Sequence, residues 1–179
     1  MDQYWTAKRK ARVYLARNYT NLWLVAKDIL DSMPAGVVQV CGPISTGGTG
    51  SRELNCQVFA FAIAHLKKKG LTVFDQMPFQ YQMVGMSKRY AEKNNGAYDQ
   101  SLLEEFYRPL FQSGFITETH FLPGWEESTG ARWERELVTS LGIPIQDFPK
   151  RTFAGLVRKA RALQKIVKCA MVPADGFLG

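Results

Sequence analysis

The chain has 179 residues, of which 46% are apolar, 12% aromatic and 22% charged. That is the make-up of one globular domain, and it excludes a disordered, fibrous or disulfide-stapled chain. No apolar run nears the ~20 residues that span a bilayer, and no secretory leader pattern opens the chain, so the expectation is a cytoplasmic protein with no membrane partner. The net charge of +7 is uneven: residues 1–34 carry +3, residues 35–149 carry −2 and residues 150–179 carry +6.

Residues 4–33 read as helix in two pieces, with a break at Asn18-Tyr19-Thr20-Asn21 and a stop at Met33-Pro34-Ala35-Gly36. Leu22, Val25, Ala26, Ile29 and Leu30 follow helical spacing. The run Val37-Val38-Gln39-Val40-Cys41 predicts a buried strand, ended by Gly42-Pro43 and followed by a polar, glycine-rich loop through Ser51. A helix over Arg52–Lys69 follows, with Gly70 as its stop, and Leu71-Thr72-Val73-Phe74 predicts a second strand. Residues 37–74 therefore have the form of a βαβ crossover.

Residues 75–97, with Pro78, Met83, Met86 and Asn94-Asn95-Gly96, read as irregular and could form a flap over a site. A helix is expected over 98–112, a third strand over Phe115–Leu122 and a helix over Thr129–Leu141. Ile143-Pro144-Ile145 predicts a fourth strand, and residues 151–169 predict a basic helix before a weakly ordered last ten residues. The expected fold is α/β and Rossmann-like (flavodoxin-like): a mostly parallel sheet of four or five strands flanked by helices, with extra N- and C-terminal helices. The expected divisions are a helical extension over 1–34, the α/β domain over 35–149, and a basic helix and tail over 150–179.

Cys41, Cys56 and Cys169 are far apart and read as buried small hydrophobes, and His65 and His120 are isolated, so neither a metal nor a cofactor is expected. Two loops follow the C-terminal ends of strands, the edge where open α/β sheets hold ligands. In the first, Gly42, Pro43, Ile44, Ser45, Gly47 and Gly48 precede a helix start, which suits a phosphate. It lacks the Gly-Lys-Ser/Thr of a Walker loop and fits the dinucleotide fingerprint poorly. A flexible turn and an anion site both remain open readings.

In the second, a helix starts near Ser128, and Glu134 lies four residues after Gly130 on the same face. Side chains lean toward a helix's N-terminus, so the carboxylate points back over the bare glycine. The rise between them is about 6 Å, close to the reach from a nucleotide's 5′-phosphate to its anomeric carbon. One helix could thus hold a phosphate at its tip and present a carboxylate to the sugar. The competing reading makes Glu134 a solvated helix residue beside Arg132, Arg135 and Glu136. Trp125 suits either base stacking or a loop anchor. Arg132 suits either a phosphate or, slightly preferred, a salt bridge to Glu136.

These stretches resemble the nucleoside 2-deoxyribosyltransferase-like superfamily, in its uncharacterised deoxyribosyltransferase-like or nucleotide N-glycosidase branch. Val38 to Ile44 looks like the family's first strand and Gly-Pro turn, and Asn55, Phe59, Leu66 and Gly70 to Phe74 like its first helix and second strand. Leu122-Pro123-Gly124-Trp125-Glu126, with Ser128, Gly130-Ala131 and Glu134, resembles its second motif, and Leu141 to Ile145 closes the likeness at about residue 147. The resemblance implies N-glycosidic chemistry on a nucleoside or nucleoside 5′-monophosphate, ribo or deoxy. Glu134 would attack the anomeric carbon and Ser128 would bind the phosphate with the first loop. It also implies a homo-oligomer, dimer or higher. The chain departs from the family where an Asp opens the third strand: Thr117 and Glu118 stand there. The second acid is open among Asp75, Asp99, Glu104 and Glu105. Base-exchanging transfer and nucleotide sensing without turnover are the alternative functions. Nucleic-acid association through Lys8-Arg9-Lys10, Arg12, Lys150-Arg151, Arg158-Lys159 and Arg161 is less favoured than solvated helix faces or oligomer contacts.

Overall fold

The computed structural model describes residues 3–45 and 47–170, the side chains of 167–170 excepted. The C-terminal tail and the Cys169 side chain lie outside the described residues. Two helices open the chain, α1 (Ala7–Leu15) and α2 (Tyr19–Leu30). The expected break between them is real, because the Asn18 side chain accepts the Asn21 amide and starts α2 afresh. All five residues of β1 (Val37–Cys41) are buried, as a strand covered on both faces requires.

Next comes α3 (Arg52–Lys68), capped by Ser51. A 3-10 turn, Met77–Phe79, leads into α4 (Gln80–Lys93). A π-helical turn over Leu103–Tyr107 runs into α5 (Arg108–Gln112), followed by β2 (Ile116–Phe121). The chain continues through α6 (Thr129–Ser140), β3 (Ile145–Asp147) and α7 (Lys150–Ala170). No helix among the described residues is long and apolar enough to cross a membrane.

The architecture is α/β: a parallel sheet in the order β1-β2-β3 with helices on both faces. The sheet has three strands, fewer than the expected four or five. The segment 71–74 lies beside β1 in parallel but makes a single bridge, Val38 to Val73. It is held by Val38 N–H to the Thr72 carbonyl at 2.7 Å and Phe74 N–H to the Val38 carbonyl at 3.0 Å. Pairing stops there because the chain turns at once into Met77–Phe79, where Pro78 has no N–H to extend a ladder.

The flap expected over 75–97 is instead mostly helix. Pro78 sits in the first turn of the 3-10 segment, where its missing donor does no harm. Met83 and Met86, three apart, turn one face of α4 inward. The helix ends at Asn94-Asn95-Gly96, where Asn95 and Gly96 take positive φ.

The residues of β1 alternate between two cores. Val37 and Cys41 join the larger one, with Trp5, Val13, Leu22, Ile29 and Phe106 from the helical layer. Val38 and Val40 face Phe59, Ile63 and Leu66 of α3. Beyond α3, α7 packs through Phe153, Leu156, Val157 and Ala160 against Leu54, Val58 and Phe61. The two N-terminal helices thus share their core with the sheet.

Candidate functional site

After β1 the chain returns on one side of the sheet, through α3 to the 71–74 segment, and later on the other side to β2. The loops leaving β1 and β2 therefore diverge, and a crevice opens between them at the strands' C-terminal edge. Gly42 sits at the start of the first loop with φ +155°, and a Cβ there would lie 2.8 Å from the Leu122 Cβ. Only glycine lets the two loops approach this closely. Asn55, 4% exposed, holds the rest of the loop in shape. Its Oδ1 accepts the Thr49 amide (2.8 Å) and hydroxyl (2.7 Å), and its Nδ2 donates to the Ile44 and Gly47 carbonyls (3.2 Å each).

Across the crevice, Ser128 caps α6, its Oγ accepting the Ala131 amide at 3.4 Å. One turn in, Glu134 is only 6% exposed. A cavity of about 390 Å³ opens here. Gly42, Ile44 and Ser45 line it from the first loop, and Ser128, Gly130 and Glu134 from α6. Asp99 and Tyr98 border it from the segment before the π-helical turn, which adds Leu103 and Tyr107. Met83, Val84, Ser87 and Lys88 of α4 form a wall, and Arg52 of α3 reaches the rim, donating to the Ser45 hydroxyl at 3.0 Å.

Burial pushes the Glu134 carboxyl up to about 8, and a hydrogen bond from the Cys41 thiol offsets part of that rise. The Cys41 thiol is itself pushed up by burial and by Glu134. Tyr98 is raised to about 12 by burial, then by the charges of Glu134 and Asp99. The Tyr98 hydroxyl would lie 3.0 Å from a Cβ on Gly130, so the bare glycine accommodates this hydroxyl. Asp99, 6% exposed, accepts from the Tyr19 hydroxyl at 2.7 Å and from the Ser101 amide at 3.1 Å. Tyr19 in turn lies 2.9 Å from Ser87 Oγ.

The structure therefore brings together Gly42, Ile44, Ser45, Ser128, Gly130, Glu134 and Asp99. Pro43, Gly47, Gly48, Trp125 and Asp75 are not among the residues that border the cavity. Pro43 and Gly48 pack on each other behind the loop, and Gly47 lies against Glu127. Trp125 meets Phe121 edge-on and carries the Arg135 guanidinium 4.3 Å from its ring centroid, the arrangement of a loop anchor. The Asp75 carboxylate accepts the Met77 amide at 3.0 Å and lies 3.9 Å from Lys67 Nζ.

Of the other acids, Glu104 pairs with Arg108, Glu105 accepts from Thr20 and Glu118 pairs with His120. Arg132 donates to the Glu126 carbonyl at 2.9 Å rather than closing the expected bridge to Glu136, which tightens the turn before α6. Cys41 is buried as expected, whereas Cys56 is half-buried. Among the described residues no group of three His, Cys, Asp or Glu side chains could hold a metal ion.

Sequence reasoning missed Tyr98, Tyr107 and Arg52; it set residues 75–97 over a site, but as an irregular flap and not as the helix α4. Arg52 was visible as the first residue of a helix following the glycine-rich loop; Tyr98 and Tyr107 carried no local signal. No family model matches the chain, and neither a curated protein nor a solved structure matches it.

Proposed function

We propose that this protein is an N-glycosidase acting on a (2′-deoxy)nucleoside 5′-monophosphate, with Glu134 as the nucleophile. The observation that carries this reading is the buried Glu134 carboxyl bordering a cavity, one turn above the Ser128-capped tip of α6. A surface helix residue would be solvated and would keep an ordinary titration. The sheet order, with the 71–74 segment, β1, β2 and β3 side by side and parallel, supports a Rossmann-like fold of flavodoxin-like type.

In this reading the phosphate rests on the first-turn amides of α6, the Ser128 hydroxyl and the Arg52 guanidinium. The sugar then lies along α6 with its anomeric carbon at Glu134. The ionised carboxylate forms a C–O bond to that carbon as the C–N bond to the base breaks, through an oxocarbenium-like transition state. The base leaves with a proton that Asp99, in its acid form, would donate. Asp99 is the only one of the four second-acid candidates that borders the cavity, and it is assigned to the base side. Water then hydrolyses the glycosyl-enzyme ester, and a second base in its place would give transfer. A carboxyl titrating near 8 is mostly protonated in the empty cavity at neutral pH, so turnover gains from alkaline pH or from a substrate that draws the proton off. Sensing without turnover is the second reading, favoured by that same proton.

The test is incubation with ribo- and deoxynucleoside monophosphates and chromatography for free base. Base release from the wild type, lowered at least 10³-fold in Glu134→Ala, is expected. Nucleotide binding without base release would leave only the sensing reading. A homo-oligomer belongs to the same proposal, and Tyr14, Leu15 and Tyr81, each at least 70% exposed, are apolar residues available for such contacts.

A further inference from the structure

We propose that α7 is a docking surface for a nucleic-acid duplex, gripping its phosphate backbone independently of the cavity. The helix contains no acidic residue. Lys150, Arg151, Arg158, Arg161 and Lys165 are all exposed. At about 100° per residue they fall within an arc of about 100°, centred about 120° around the helix from Phe153, Leu156, Val157 and Ala160. They span about 22 Å along the axis at 1.5 Å per residue. None of the ion pairs among the described residues involves them. The apolar face is seated on α3 through Phe153, Leu156, Val157 and Ala160, and the basic row lies exposed beside it. Lys159, off this row, lies over the Phe61 ring instead.

A duplex of DNA presents a charge every ~1.7 Å of its axis, so a row this long meets phosphates along its full length. Charge fits an anionic lipid surface equally well, and the apolar face of α7 decides for the duplex. A helix lying in a membrane interface buries its apolar face there, and here that face is already taken by α3, leaving Leu163 and Ile166 as its exposed large apolar residues. The separation of charge supports the same partner, because the central residues 35–149 are net negative and would repel the backbone while α7 holds it.

The test is fluorescence anisotropy of the full chain with a labelled 24-base-pair DNA duplex between 50 and 200 mM NaCl. Five phosphate contacts give a log K against log [NaCl] slope of at most about −4.5, and micromolar binding at 50 mM salt is expected. The Arg158→Ala/Arg161→Ala/Lys165→Ala variant should bind at least tenfold more weakly, with a slope shallower by about 2.7. Removing three charges elsewhere, with Lys10→Ala/Arg89→Ala/Lys93→Ala, should change affinity less than threefold. Should the first variant lose helical signal in circular dichroism, Arg158→Gln/Arg161→Gln gives the same comparison. Equal loss in both triple variants, no duplex binding at 50 mM salt, or binding to vesicles of anionic phospholipid in place of duplex would overturn the proposal. Glu134→Gln should bind duplex like the wild type; loss of binding there would put the duplex in the cavity instead.

Discussion

Glu134 is held where its charge is unwelcome, and the consequence reaches stability as well as chemistry. Its carboxyl has an ordinary value of 4.5 and is pushed to about 8 in the folded chain by burial. Below pH 4.5 it is protonated in both states. Between about 4.5 and 8 the unfolded chain ionises while the folded chain keeps its proton, so unfolding releases a proton and stability falls as pH rises. Above 8 the loss levels off. At about 1.4 kcal/mol per unit, the fall is on the order of 5 kcal/mol across the window. Glu134→Gln keeps the shape and removes the titration. Urea denaturation at pH 5 and pH 8.5 is expected to show the variant losing less stability than the wild type by a few kcal/mol. Equal losses in both chains would mean that Glu134 is not buried as an acid. Under the proposed function the same ionisation would govern attack on the sugar, and base release should then climb with pH up to about 8 under conditions where the free enzyme is limiting.

At the scale of elements, the loop between β1 and α3 depends on one side chain from the helix it precedes. Asn55 serves two carbonyls and two donors of that loop at once. Asn55→Ala leaves those groups without their partner in a half-buried place, and a cost of about 2–4 kcal/mol is expected in thermal or urea unfolding. Asn55→Asp keeps the acceptor and loses the donors, so it should fall between the two. Under the proposed function nucleotide affinity should drop in both variants, since Ile44 and Ser45 border the cavity from this loop.

The sequence announced this loop through its glycines, and it announced α6 through Ser128, Gly130 and Glu134, because both motifs are local. The helical form of α4 was hidden for a physical reason. Its inward face consists of two methionines after a proline, which resembles an irregular stretch until Phe79 and Phe106 are there to pack against. The 71–74 segment misled in the opposite direction. Its β-branched and apolar run suits a strand, but a strand's length depends on what the chain does next, and here it turns at Asp75.

At the scale of the whole molecule, residues 1–34 lie outside the family likeness and differ in charge from 35–149, and their helices share a core with the sheet. In α2, Leu22, Val25, Ile29 and Leu30 are each at most 2% exposed, and they share a core with Val37 and Cys41 of β1. Trp5 stands edge-on to Phe79 at a centroid distance of 4.9 Å and donates to the Asp75 carbonyl at 3.1 Å. Charge is a surface property and says little about which faces meet inside, so these contacts could not be read from it. Burying the four α2 side chains contributes about 1.5–3 kcal/mol each, and Trp5 adds a comparable amount. The sum is similar to the whole ~5–15 kcal/mol margin of a folded domain. A chain beginning at Ala35 would also expose Phe79 and Phe106, which support the start of α4 and the π-helical turn beside the cavity. That truncated chain is expected to lack a cooperative thermal transition and to bind a hydrophobic dye. The point change Trp5→Ala in the full chain should cost about 3–5 kcal/mol while leaving the transition cooperative. A sharp melt from the truncated chain would show instead that the two helices are an appendage resting on a self-sufficient α/β core.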